Sequence, residues 1–260
     1  MKLSKIKQTI KNNLPKSLFE SLQSLKYAGK KIPDYEIYRS FLKNRRGLEI
    51  GGPSTLFKTM LPIYQVIESL DGVNFADSTV WEGSIQTGRT FNYIKDKKGF
   101  QFISDATNLD QIKSSTYDFL LSSNCLEHIA NALKAIEEWK RVIKDNGFIL
   151  LVLPNKESNF DHNRPVTTFE HLLDDYNSEI TEHDLTHLDE ILALHDLSMD
   201  PPAGNLEEFR LRSLNNFNNR TLHHHVFDIP LMTKMLEYSE FEIIKTGITE
   251  TDFLALGLKR

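Results

Sequence analysis

Cysteine occurs once in the 260 residues, at Cys125. This excludes an intrachain disulfide and any cysteine-built zinc cluster, and it fits a reducing compartment. Long apolar runs are missing as well. None approaches the roughly 20 residues that span a bilayer, and the N-terminus lacks the apolar core of a signal peptide. Net positive charge is missing too: a formal charge of −5 gives no global reason to expect nucleic acid as a partner. A soluble, cytoplasmic protein is the expectation. With 40% hydrophobic residues, the chain can build one α/β domain with a sizeable core and a smaller added lobe.

Basic charge is concentrated at the start. Residues 1–31 hold eight lysines and one acid, Glu20. Leu3, Ile6, Ile10 and Leu14, then Leu18, Leu22 and Leu25, recur at helical spacing on either side of Pro15. Residues 1–45 therefore read as a basic helical N-terminal arm. Its amphipathic face suits peripheral contact with an anionic membrane surface, docking on its own domain, or a homodimer contact with a second subunit.

From residue 46 onward, strand and helix signals alternate. Residues 47–50, 64–70, 100–104, 119–121 and 148–153 read as successive strands, and 241–244 and 253–258 as a closing antiparallel pair. A helix from about 127 to 144 carries apolar positions at 129, 133, 136 and 143, with Gly147 placed as its C-terminal stop. Residues 72–99 hold turn residues and a hairpin-like Thr90-Phe91-Asn92-Tyr93-Ile94 where simple alternation calls for a helix. The pattern predicts an α/β fold, a mostly parallel sheet flanked by helices. The stretch between the fifth and sixth strands is far longer than an ordinary crossover, so residues 155–225 are expected to form a large substrate lid inserted before the last two strands. Residues 157–200 carry twelve acids and a single basic residue, Arg164. Five of the nine histidines fall there, and His223-His224-His225 follow.

Three blocks suggest chemistry. In Arg46-Gly47-Leu48-Glu49-Ile50-Gly51-Gly52-Pro53-Ser54, a strand with one acid runs into a glycine turn, which lets backbone approach a ligand. Tyr117-Asp118-Phe119-Leu120-Leu121-Ser122-Ser123-Asn124-Cys125-Leu126-Glu127-His128-Ile129 follows. Lys144-Asp145-Asn146-Gly147-Phe148-Ile149-Leu150-Leu151-Val152-Leu153-Pro154 is the third. In order and spacing the blocks resemble the class I S-adenosylmethionine-dependent methyltransferases, well over 46–154 and loosely over 238–260. The resemblance implies a Rossmann-like seven-stranded sheet, a methyltransferase domain over 46–260, and S-adenosyl-L-methionine as cofactor.

Residue by residue, it implies that Glu49, Gly51 and Gly52 neighbour the amino-acid end of that cofactor. A carboxylate for the ribose hydroxyls, some 20 residues past the glycine turn, points to Asp71, with Glu68 and Asp77 as competitors. Asp105, followed by Ala106, stands where the family has an acid for the adenine amino group, and it equally suits a helix N-cap. Asn124 stands where the family presents residues beside the transferable methyl, and Leu126-Glu127-His128-Ile129 is similar to a run in many small-molecule methyltransferases. The chain departs from the family's G-x-G-x-G: only Gly51 matches, with Pro53 and Thr55 at the other two positions. The loop must therefore approach the cofactor differently.

Methyl transfer from a sulfonium is a direct displacement that needs alignment and a dry site, and a hydroxyl acceptor also needs a base. His162 and His225 are the candidate bases, with Asp161 to orient an imidazole. Arg164, His223 and His224 are candidate substrate contacts, Arg164 for a phosphate or carboxylate. Structural polar residues in an acidic lid are the competing reading. The resemblance and the polar lid favour a small-molecule substrate, a sugar hydroxyl on a nucleotide- or phosphate-linked sugar, in bacterial surface-polysaccharide biosynthesis. No metal is assigned: His183 and His187 are four apart near Asp184 and Glu190, but the pattern is not H-E-x-x-H. A metal-dependent hydrolase built on residues 157–200 and a catalytically silent nucleotide-binding or scaffold protein are the alternatives.

Overall fold

The apolar runs assemble an eight-stranded sheet in the computed structural model, which describes residues 29–260. The two helices expected before residue 26 lie outside the described residues. The strands are β1 (Arg46–Ile50), β2 (Ser69–Asn74), β5 (Gly88–Ile94), β6 (Lys97–Ile103), β7 (Tyr117–Ser123), β8 (Ile143–Pro154), β9 (Phe241–Ile248) and β10 (Asp252–Lys259), with β3 (Ser78–Thr79) and β4 (Gly83–Ser84) forming a separate ribbon. Their order is β5-β6-β2-β1-β7-β8-β10-β9. The run from β6 to β8 is parallel, and β10 is antiparallel to both β8 and β9.

Three local expectations need correction. The sheet has eight strands, not seven, because the hairpin-like segment around residues 90–94 forms β5, antiparallel to β6. The tight turn between them places Asp96 at φ 66. The second strand is β2 at 69–74, not 64–70; residues 63–65 form a short 3-10 turn instead. The long helix after β7 is confined to Ala132–Val142, with Asn131 accepting from Lys134 N as its cap. Gly147 does not stop it. It lies inside β8, where a Cβ would come 2.8 Å from the Asp118 carbonyl oxygen.

The helices are α1 (Tyr35–Leu42), α2 (Thr55–Lys58), α3 (Ala132–Val142), α4 (Phe169–Asn177), α5 (Leu188–Leu194), α6 (Leu206–Leu214), α7 (Asn216–Asn219) and α8 (Ile229–Tyr238). Alternate strand residues feed two cores. Leu48, Leu120, Leu151 and Leu153 pack with Trp139 of α3 and Met232 of α8 on one face. Leu70, Phe119, Leu121 and Leu150 pack with Tyr38 and Leu42 of α1 on the other. Each such buried apolar side chain contributes about 1.5–3 kcal/mol. Helices α4 to α7 make up the long insertion between β8 and α8, with a small core of Ile191, Ala203, Phe209 and Leu222. Among the described residues, no helix is long and apolar enough to cross a membrane.

Candidate active site

Five parallel strands end at one edge of the sheet, and their exit turns surround a cavity of about 750 Å³, a size typical of small-ligand sites. Gly51, Asn74, Asp105 and Asn124 line it from the sheet, and Phe160, Arg220 and His223 from the insertion.

The glycine turn is fixed by close packing. Gly51 has φ 76, its N–H donates to the Val73 carbonyl at 2.9 Å, and a Cβ there would stand 2.8 Å from Cys125 Sγ. Gly52 does not line the cavity. A Cβ on it would strike the Glu49 carboxyl at 2.2 Å, and its carbonyl accepts from Asn74 Nδ2. The Gly52–Pro53 peptide is cis. Glu49 also lies off the cavity, fully buried behind the loop. There it accepts from Tyr64 Oη at 2.6 Å and Ser54 N at 3.0 Å. Burial pushes its carboxyl up to about 8, against these hydrogen bonds. Glu49 therefore braces the loop from behind.

Asp71, the expected ribose ligand, is away from the cavity. It is the third residue of β2 rather than its last, and it accepts from Arg46 (3.0 Å), Tyr117 Oη (2.8 Å) and Phe100 N (2.7 Å). Glu68 and Asp77 are not in the lining either; Asn74 and Phe75 occupy that wall. Asp105 and Ala106 do line it. Asp105 Oδ1 accepts from Thr107 N and Oγ1, the turn-capping role, while Oδ2 pairs with Arg220 at 3.1 Å. Burial would raise the Asp105 carboxyl, but the Thr107 hydrogen bonds and Arg220 hold it below its usual value. Arg220 also reaches Glu182 and packs over Phe75. No local pattern marks Arg220 in the sequence, because its partners come from three distant segments.

The far end of the cavity gathers Asn124, Glu127, His128 and His223. Asn124, at φ 49, donates from Nδ2 to Asp252. His128 Nδ1 faces the Leu222 carbonyl at 3.0 Å, and burial drives its pKa well below the ordinary value. A neutral ring facing a carbonyl must donate to it, which leaves Nε2 as an acceptor. Trp81 packs against this ring at 5.0 Å. Burial lifts Glu127 to about 7, and its Oε2 has no hydrogen-bond partner. Asp161 bonds His223 Nδ1 through Oδ2. Burial opposes both charges, yet the pair's attraction prevails: His223 is raised, and Asp161 sits at about 2. Asp161 thus orients His223, not His162.

The remaining candidates lie off the cavity. His162 pairs with Asp196 at 3.0 Å on the insertion surface. His224 contacts Asn216 and Glu182, and His225 Nε2 contacts the Ala130 carbonyl at 2.9 Å. Arg164 is 2% exposed and fully engaged. It reaches Asp161 Oδ1 (3.1 Å), Glu190 (2.9 Å) and the carbonyls of His223 and His224. It clamps the insertion instead of meeting substrate.

Residues 79–151 match the family described as Methyltransferase domain. A 46-residue stretch is 44% identical to an uncharacterized protein of Methanocaldococcus jannaschii, covering 18% of this chain and 20% of that protein. The matched stretch thus spans about a fifth of that relative. An S-adenosylmethionine-dependent methyltransferase from Aquifex aeolicus aligns at 13% identity over 88% of this chain and 90% of that one, with a TM-score of 0.49. Another from Methanosarcina mazei aligns at 15% identity over 88% and 98%, with a TM-score of 0.48. The family match runs from the end of β3 into β8 and so takes in the whole 117–129 block, over which this chain is similar to methyltransferase domains.

Proposed function

We propose that this chain methylates an oxygen of a small polar acceptor, a hydroxyl of a nucleotide- or phosphate-linked sugar. One observation carries the reading: a single cavity runs from Gly51, Asp105 and Ala106 at the strand ends to Glu127, His128 and His223. The first group would hold S-adenosyl-L-methionine, which supplies an electrophilic methyl when bound. Asn74 and Phe75 fit the nucleoside wall, in place of the expected Asp71.

The chain's own residues do the rest. His223, oriented by Asp161, takes the acceptor's proton at Nε2, and the Asp161 carboxylate stabilises the imidazolium that results. His128 Nε2 accepts a hydrogen bond from a neighbouring hydroxyl. Trp81 and Phe160 line this end with apolar surface, against which a bound acceptor would shed water. The insertion over 155–225 acts as the substrate lid, and the chemistry suits a cytoplasmic enzyme serving surface-polysaccharide synthesis.

Incubation with methyl-labelled S-adenosylmethionine and a panel of nucleotide sugars and sugar phosphates tests the reading. Label in a sugar ether, absent with His223→Gln, is the expected result. Label appearing only on amine or carbon acceptors, or none transferred at all, would overturn it.

A further inference from the structure

We infer that the insertion carries a structural zinc site in which His171, His187, His225 and Asp175 surround one ion. His171 and Asp175 are four apart on α4 and share a face. His187 immediately precedes α5, and His225 lies in the extended segment between α7 and α8. Three segments that are remote in sequence thus converge on one point.

The spacing is that of a coordination shell. His171 Nε2 lies 2.8 Å from His187 Nε2 and 3.2 Å from Asp175 Oδ2, and the His225 ring stands beside the same oxygen. Potential ligand atoms of the three histidines all fall within 4.8 Å of one another. Zinc bonds of about 2.0–2.1 Å in a tetrahedron put neighbouring ligand atoms roughly 3.3 Å apart.

The polar accounting points the same way. Asp175 is 7% exposed, and its Oδ2 has no hydrogen-bond partner. A buried, unbonded carboxylate oxygen is costly unless a cation meets it. His225 Nε2 donates to the Ala130 carbonyl, so its Nδ1, buried without a partner, is the nitrogen free to meet the ion. Three imidazoles and one carboxylate suit zinc, and four protein ligands make a closed, structural site. None of the four lines the main cavity, which separates this ion from a hydrolytic role. The pairing differs from the one suggested by sequence spacing: His183 stacks on Phe217 at 4.0 Å, and only His187 joins the cluster. The site would fasten the 223–225 segment that presents His223 to the cavity, and its existence does not depend on methyl transfer.

Metal analysis of the purified full chain, after zinc loading and exhaustive dialysis, tests it. About one zinc per chain is expected in the wild type and in a Glu127→Gln/His128→Gln variant, with none in His171→Ala or His187→Ala. Because an alanine variant can fail for lack of folding, cobalt-loaded wild type gives a readout without mutation. Intense visible bands of four-coordinate cobalt, bleached by added zinc, are expected. Absence of both retained zinc and cobalt bands would overturn the inference, as would loss of zinc from the Glu127→Gln/His128→Gln variant alone.

Discussion

Replacing Arg164 by methionine is expected to lower the unfolding free energy by about 3–5 kcal/mol, the usual cost of breaking a buried ion pair from one side. For a chain of this size that corresponds to a fall in Tm of roughly 6–20 °C. The guanidinium holds Asp161 and Glu190 and two backbone carbonyls at once, so its loss strands buried acceptors on both sides of the insertion. A second substitution separates charge from packing. Arg164→Met/Asp161→Asn removes the stranded carboxylate and should recover part of the loss in a denaturant-melt cycle. A single-variant change under about 1 kcal/mol would show that the clamp is not what holds the insertion down.

The second large effect concerns the His223–Asp161 pair. His223→Gln should reduce kcat by roughly 10²–10⁴, the range for loss of a positioned base. The pH dependence carries more information. Asp161 raises His223, so the neutral form that can accept a proton gains population above the ordinary histidine value near 6.5. kcat/KM should therefore rise with pH through that range. Asp161→Asn removes the charge that favours the imidazolium, so the acid limb should move to lower pH while the plateau falls. An unchanged limb and plateau would make Asp161 irrelevant to the base. Stability should follow the same pair. The Asp161 share is present above about pH 4 and fades as pH falls toward 2. The His223 share is present below about pH 6.5 and fades as its raised pKa is passed.

Much of the sheet was readable because β1, β7 and β8 are short apolar runs bounded by turn residues. The errors have specific causes. Asp71-Gly72 looks like a turn, yet Gly72 lies inside β2, where a Cβ would meet the Phe91 ring at 2.2 Å. Glycine there answers to a neighbour that no local pattern reveals, so the local pattern puts the strand too early, at 64–70, and Asp71 just past its end. Gly147 misleads in the same way, through the carbonyls packed around it in β8. Among the expected residues, Gly51, Asp105, Ala106 and Asn124 line the cavity because they follow strand ends. The roles of the histidines were not legible. Three consecutive ones, 223 to 225, point to three different surroundings, and the partner of His223 is 62 residues away. Arg164 drew attention as a lone cation among acids, and that same setting makes it an internal clamp.

Calorimetric titration with S-adenosylhomocysteine tests the central claim most directly, using wild type, Gly51→Val, Asp105→Ala and Asp71→Asn, each confirmed folded by its melt. The account predicts binding in the wild type, no loss in Asp71→Asn, and affinity weaker by roughly tenfold or more, about 1.4 kcal/mol, in Gly51→Val and Asp105→Ala. No binding heat in the wild type, or affinity lost in Asp71→Asn and kept in Asp105→Ala, would contradict it.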